Sequence, residues 1–354
     1  MAFTAGEITN IANAALDYYL SQGDVFRQSL QKRPFWDKLS AAKKTFPGGK
    51  GSISVAVSGA FGDGSGNDVV KGYTHNDTVN FYTPANIKRA NFPWREHHIG
   101  LTLTHTELKI DGISVDDENN TTQHSQRDMT VLVGLLEDKL FDLGEQYARG
   151  MNLLSYGDGT ADPKAMAGIK LLVADNPTVG IVGGLDRSQA AYTWWRNVAV
   201  TAAYGGGPIT SSPTNGGALL QQLQKSRRQL VRYGGTPDLF VCGSDFLGAM
   251  ETEMRANGLY SQTGFKNSQD AAMGDMLFAG QTVNYDPTMD DLGLNKRAYW
   301  IDSSNIFVDA MQGEWMHQFT PDRPPNQFVM YRSITTTCQM VAKQCNSSLV
   351  IDIA

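Results

Sequence analysis

Charge is scarce in this chain. Asp, Glu, Lys and Arg make up 19% of its 354 residues, against about a quarter in ordinary globular proteins. There is no basic excess: the formal net charge is −6 at pH 7. A protein that reads DNA sequence carries a surplus of Lys and Arg, so this balance argues against that class. Mild acidity also lowers non-specific sticking to nucleic acid. Cysteine is also rare, at Cys242, Cys338 and Cys345. An odd count without metal-type spacing implies neither a disulfide framework nor a zinc site, and fits a reducing compartment. No apolar run nears the length of a membrane span. The N-terminus has no basic segment followed by an apolar core. The sequence therefore predicts no membrane contact and no signal peptide.

Catalytic signatures are missing too. There is no G-x-S-x-G elbow, no phosphate-binding Walker loop and no H-E-x-x-H pair. The glycines at 62–66 lack dinucleotide spacing, and they sit between two strand-like segments where a strand-to-helix turn would be needed. His97 and His98 point to opposite faces of an extended segment, and His105 lies too far along it to converge with either. Asp116, Asp117 and Glu118 share only acidity with a calcium loop. The reading is of a chain with no catalytic residue, no cofactor and no metal.

What the chain does have is length for two domains, an ordinary 41% of hydrophobic residues, and 36 glycines. A charge-poor, glycine-rich chain suits a surface largely covered by neighbours. Residues 4–22 predict a helix, with Thr4 and Glu7 in a capping-box pattern. Ile8, Ile11, Leu16 and Tyr19 lie on its apolar face. That periodicity fits a core helix and a docked arm equally well. Residues 52–58 alternate through Ile53, Val55 and Val57, and residues 78–84 alternate through Val79 and Phe81. The pair reads as a hairpin with an unusually long, glycine-rich connection that includes Lys71. A two-stranded ribbon is marginal by itself, so the hydrophobic faces of these strands call for a partner surface.

A strand follows at 97–106, with Ile99, Leu101 and Leu103 on one face. Thr121 or Thr122 then caps a helix reaching about residue 154, with Leu132, Leu135, Leu136, Leu140, Leu143 and Tyr147 on its apolar face. Beyond it the pattern predicts helices at 218–232 and 244–256, the second capped by Ser244. Strands are predicted at 238–241, 276–285, 298–301 and 306–308, with one or two long strands over 326–353. The helix carrying Lys225, Arg227, Arg228 and Arg232 lacks the interleaved aromatics of a base-stacking surface. It reads as solvated or subunit-facing.

The most informative segment is 156–197. There GDGTADP, an apolar GI-LLV run, GGLDRS and WWRN follow one another. This series resembles the major capsid proteins of tailed double-stranded DNA bacteriophages, and the likeness extends more loosely over nearly the whole chain. The resemblance implies an α+β subunit with the Hong Kong-type phage capsid fold. Its parts would be an N-terminal arm (1–48), an extended loop (49–90), a peripheral domain with a long spine helix (91–160), an axial domain (161–296) and strands returning to both domains (297–354). It implies a structural protein that assembles with itself, as hexamers and pentamers, into an icosahedral head around packaged DNA. That DNA would be held without sequence-specific contact.

Subunit contacts are then expected from Ile53, Val55, Val57, Lys71, Val79 and Phe81 in the loop, and from Ile8, Ile11, Leu16 and Tyr19 in the arm. The implied partners are a separate scaffold protein, a portal and decoration proteins. The implied location is the virion, after assembly in the cytoplasm of a bacterial host. Some family members join a loop lysine to an asparagine by an isopeptide bond. Lys71 and Asn346 lack the surrounding motif, and no such crosslink is expected. Two rival readings are an encapsulin-like bacterial nanocompartment with the same fold and a cytosolic enzyme of unknown chemistry.

Overall fold

The computed structural model describes residues 3–4, 31–48, 50–59, 61, 70–79, 81–82, 87–104, 106, 115–116, 126–212, 217–256, 276–319 and 329–354. For residues 3–4, 103, 115–116, 126–138 and 329–330 it describes the backbone alone. The expected helix at 4–22, with Ile8, Ile11, Leu16 and Tyr19, lies outside the described residues apart from Thr4. So do the glycines at 62–66 and the expected caps Thr121 and Thr122.

In chain order, β1 (Phe3–Thr4) is followed by α1 (Pro34–Ala41). Pro34 suits a first helical turn, because its φ is already set and its missing N–H would have no partner there. β2 (Lys44–Phe46), β3 (Ser52–Val57), β4 (Lys88–Pro93), β5 (Arg95–Thr104) and β6 (Val115–Asp116) lead to α2 (Gln126–Tyr156), a helix of 31 residues. Then come α3 (Ile169–Leu172), the pair β7 (Ile181–Val182) and β8 (Leu185–Asp186), a 3-10 turn over Ala190–Trp195, and β9 (Val198–Val200). The rest alternates: α4 (Ala218–Val231), β10 (Leu239–Cys242), α5 (Ser244–Ala256), β11 (Leu277–Phe278), β12 (Gln281–Tyr285) and α6 (Pro287–Asp291). It closes with β13 (Arg297–Ile301), β14 (Ile306–Met311), β15 (His317–Phe319), β16 (Val329–Ala342) and β17 (Leu349–Asp352).

These elements form two compact units. One comprises Met1–Gln31, Glu96–Met151 and Met311–Thr337. Its described core joins Leu140 and Leu143 of α2 to Ile334 of β16, flanked by Ile99 and Leu101 of β5. β16 pairs with β5 and, antiparallel, with β15. The buried Tyr147 hydroxyl shares a 2.6 Å hydrogen bond with Thr336 Oγ1.

The other unit comprises Lys32–Arg95, Asn152–Ala310 and Cys338–Ala354. Its centre is a six-stranded sheet in the order β11-β12-β10-β13-β17-β9. Adjacent residues of a strand face opposite ways, and β13 uses both faces. Trp300 packs with Phe240 and Phe278 into the core that holds Leu219, Leu220, Leu223, Leu230, Phe246 and Met250 of α4 and α5. Tyr299 turns the other way, toward Tyr156, which in turn meets Phe35 of α1 with ring centroids 4.7 Å apart.

α4 has no capping side chain of its own. The fully buried Glu253 of α5 fills that role, accepting the Leu219 and Leu220 N–H groups at 3.1 Å and the Ser212 N–H at 2.8 Å. A carboxylate there meets both the open donors and the positive end of the helix.

Three sequence expectations need correction. The second strand of the hairpin is not the expected one at 78–84, of which residues 78–79 and 81–82 are described and lie outside any strand: β3 pairs antiparallel with β4, Ile53 lying opposite Phe92 and Val55 opposite Ala90. Lys88 and Arg89 hide the shorter alternation of Ala90 and Phe92, the two residues of β4 that are buried. Ser244 does not precede its helix but is the first residue in it. Its N–H goes to the Asp290 carboxylate at 3.0 Å. The expected strand over 276–285 is broken in two by Ala279 and Gly280, both at positive φ.

In a further sheet, β14 lies between β2 and the end of β16. Lys44 sits 3.4 Å above the Phe307 ring and Lys343 5.2 Å from it. Asp309 is buried on the same strand. Burial pushes its carboxyl up to about 6, against the pull of Lys44 and Lys343. A carboxyl whose value is raised by folding stabilises the fold fully below its ordinary value. That stabilisation is lost as pH rises through about 6. Asp309→Asn is therefore expected to match the wild type near pH 3 and to be the more stable by about 2 kcal/mol near pH 7.5. Denaturant midpoints at the two pH values measure this, and a difference independent of pH would contradict it.

Candidate subunit-contact surface

The β3–β4 ribbon does not lack a surface within the chain. Ile53, Val57, Ala90 and Phe92 form its buried face. Behind it lies the GGLDRS segment. Gly183 sits at φ +61°, and a Cβ there would fall 2.8 Å from the Ala90 Cβ. Its carbonyl accepts the Asn91 N–H at 2.9 Å. Only glycine allows both that angle and that approach. At the end of β3, Gly59 lies so close to Trp194 that any Cβ would enter the indole ring.

The segment carrying the ribbon is held by two buried polar side chains. Arg187 is fully buried and donates to the carbonyls of Trp195 (3.1 Å), Leu171 (3.4 Å) and Leu172 (2.5 Å), and to Asn197 Oδ1 (3.4 Å). Asn197 returns the Ala174 backbone contact in both directions, accepting at 3.1 Å and donating at 2.9 Å. Trp195 donates its indole N–H to the Val182 carbonyl at 3.1 Å. The paired Arg and Asn of the GGLDRS and WWRN runs thus knit three loops together. Such a pattern satisfies loop carbonyls that would otherwise be buried unpaired.

From this firm base the segment between β3 and β4 presents apolar side chains to solvent. Phe81 is 88% exposed and Phe61 86%, with Val70, Tyr73, Val79, Tyr82 and Ile87 also open. Lys71 is exposed among them. A turn at Thr74–Asp77 orders part of the stretch. The Thr74 N–H and hydroxyl donate to the Asp77 carboxylate at 2.8 and 3.0 Å, and hold that carboxyl below its ordinary range. Scattered exposed hydrophobics are normal, but these large side chains share one segment and form a sizeable apolar exposure.

The structure thus separates the six loop residues picked out from sequence. Ile53 and Val57 are buried within the chain and Val55 is half-buried. Lys71, Val79 and Phe81 stand open. The four arm residues lie outside the described residues. Sequence reasoning missed Phe61, Tyr73 and Tyr82. Their signal was available: large aromatics inside a Gly/Asp-rich run have no local core to join.

No family model matches the chain, and no curated protein does. Solved structures match over almost its whole length. The cyanophage A-1(L) capsid asymmetric unit aligns with a TM-score of 0.65 at 15% identity, covering 94% of this chain and 96% of that one. The fold is that of the tailed-phage capsid subunit. The capsid of a native GTA particle (TM-score 0.53, 14% identity, 97% and 98% covered) and the capsid of Myoviridae phage XM1 (0.51, 12%, 94% and 95%) agree. Among the described residues, no helix is long and apolar enough to cross a membrane.

Proposed function

We propose that this chain is a major capsid protein: a structural, non-catalytic subunit that assembles with itself, as hexamers and pentamers, into the icosahedral head of a tailed phage. The observation that carries the reading is the exposed apolar loop, anchored rigidly at its base on a subunit with the capsid fold. A surface of this kind is costly to leave in water and gains by association. Many modest contacts repeated around a closed lattice make a stable shell. In this reading the loop residues Lys71, Val79 and Phe81, with Val55 at the ribbon, lie against a neighbouring subunit. The segment 1–48 serves as an arm with Ile8, Ile11, Leu16 and Tyr19 docked outside their own core. Extended loop (49–90), peripheral (91–160), axial (161–296) and returning (297–354) regions follow the order inferred from sequence. A scaffold protein, a portal and decoration proteins are the expected partners, and assembly takes place in the host cytoplasm before DNA fills the head.

Gradient sedimentation of the chain, produced together with its neighbouring genes, tests the proposal. Megadalton particles built mainly of this 38.7 kDa chain are expected. Recovery only as a small species would refute it.

A further inference from the structure

Between Asp186 and Asp238 the sequence holds no Asp or Glu. In a chain of net charge −6 that is a local reversal. Most of it falls on α4, which carries Lys225, Arg227, Arg228 and, at its C-cap, Arg232. The helix buries Leu219, Leu220, Leu223, Ser226 and Leu230. At about 100° per residue the opposite side is the row Gln221, Lys225, Arg228 and Arg232. Their spacing of four, three and four stacks the side chains into one ridge. Arg232 extends the ridge because its backbone stays helical, at φ −52° and ψ −34°. All four side chains are exposed. Among the described residues, none of the three cations is ion-paired to a carboxylate.

Arg227 stands apart from this ridge. It lies about 100° around the helix from Arg228, and it lines a cleft together with Asp238 and Asp302. Those carboxylates are engaged there, Asp238 by Lys38 at 3.2 Å and Asp302 by the Thr236 N–H at 2.9 Å. The negative end of the helix dipole favours Arg228 and Arg232, but its effect is confined to the last turn and does not account for Lys225. The ridge carries no apolar side chain, whereas the core of a protein interface is depleted of charge, Lys included. It also lacks the aromatics on which unpaired bases stack. It is a regular row of cations, about 10 Å long from Lys225 to Arg232 at about 1.5 Å per residue. One strand of a DNA duplex presents a phosphate about every 3.4 Å of axis, so the row matches about three phosphates.

We infer that the outward ridge of α4 rests on the phosphate backbone of double-stranded DNA, without reading its sequence. Lys225, Arg228 and Arg232 each meet one phosphate, and the counterions released from the duplex drive the contact. The surrounding acidic chain keeps it weak, so that DNA touches the protein at this ridge and slides elsewhere. The DNA is that of the proposed head, and in that respect the inference rests on the capsid reading. Its test does not, because binding can be measured on the unassembled chain.

The test titrates the full chain onto short labelled DNA duplexes of two unrelated sequences and follows fluorescence anisotropy as salt is raised. Three phosphate contacts predict a log–log salt slope of about −3, or about 40-fold weaker binding at 200 mM than at 50 mM salt, equal for both sequences. R228Q should make the slope shallower by about 1, and K225Q/R228Q/R232Q should abolish binding. R227Q, on the cleft side, should leave the slope as it was. The altered side chains are exposed, so thermal melting should stay near wild type in every variant. No binding by the wild type, undiminished binding by the triple variant, or equal losses from R227Q and R228Q would overturn the inference. Sedimentation of the same proteins keeps the two readings apart. A triple variant that cannot form particles even without DNA would mean that a neighbouring subunit covers the ridge, which overturns the DNA contact and leaves the capsid reading intact. A wild type that binds DNA as predicted but never assembles would remove the capsid reading and leave the contact.

Discussion

Replacing Phe81 by Asp is expected to abolish particle formation while leaving the isolated subunit as stable as before. Phe81 is 88% exposed within its own chain, so the fold gives up almost nothing. Surface changes of this kind usually move stability by less than about 0.5 kcal/mol. In the assembled shell the same side chain would be covered by a neighbour. A carboxylate there is buried without a partner, at a cost of several kcal/mol per contact, repeated at every equivalent interface. Particle yield and the melting temperature of the unassembled subunit separate these effects. Normal particles from Phe81→Asp would show that the loop tip is not covered. The same change at Ile53 is expected to fail differently. That residue is buried inside the subunit, so its substitution should lower the melting temperature before assembly is reached.

Arg187→Met should unfold the subunit more readily than any surface change, by about 3–5 kcal/mol. Methionine keeps much of the apolar stem but supplies no donor. The carbonyls of Leu172 and Trp195 and the Asn197 amide then lose donors in a site that water does not reach. The loops carrying Gly183 and Trp194 should loosen, and with them the base of the β3–β4 ribbon. Denaturant titration gives the loss of stability. A change below about 1 kcal/mol would mean that these carbonyls find other partners and that Arg187 is not the clasp of the motif.

These two residues also mark how much could be read in advance. The helices α4 and α5 and the strands β10, β13 and β14 follow hydrophobic period and glycine stops, and the end of the long helix falls within a few residues of its expected place, whereas α6 at Pro287–Asp291 carries no periodic signal. Strand β4 was missed because its buried face consists of one alanine and one phenylalanine between charged neighbours. Ala90 was chosen by the closeness of Gly183, a fact of tertiary contact invisible to a local pattern. The GGLDRS and WWRN runs were noticed as a signature, but their physics lies in a convergence of Arg187 and Asn197 on three separate loops. No spacing rule yields that convergence. Glu253 gave no signal at all: a glutamate on a helix reads as solvated until the start of a second helix is found above it. The loop residues divide for a similar reason. Alternation told that Ile53, Val55 and Val57 share a face. It could not tell that the chain itself covers that face, which leaves Val79 and Phe81 as the ones still open.

The central claim is that this fold is built to close into a shell through surfaces that a single subunit leaves uncovered. Electron microscopy of negatively stained protein, purified at a concentration where association is favoured, tests it most directly. Closed, thin-walled particles of uniform diameter with hexameric and pentameric capsomers are predicted. A field of separate monomers or dimers under the same conditions would contradict the account.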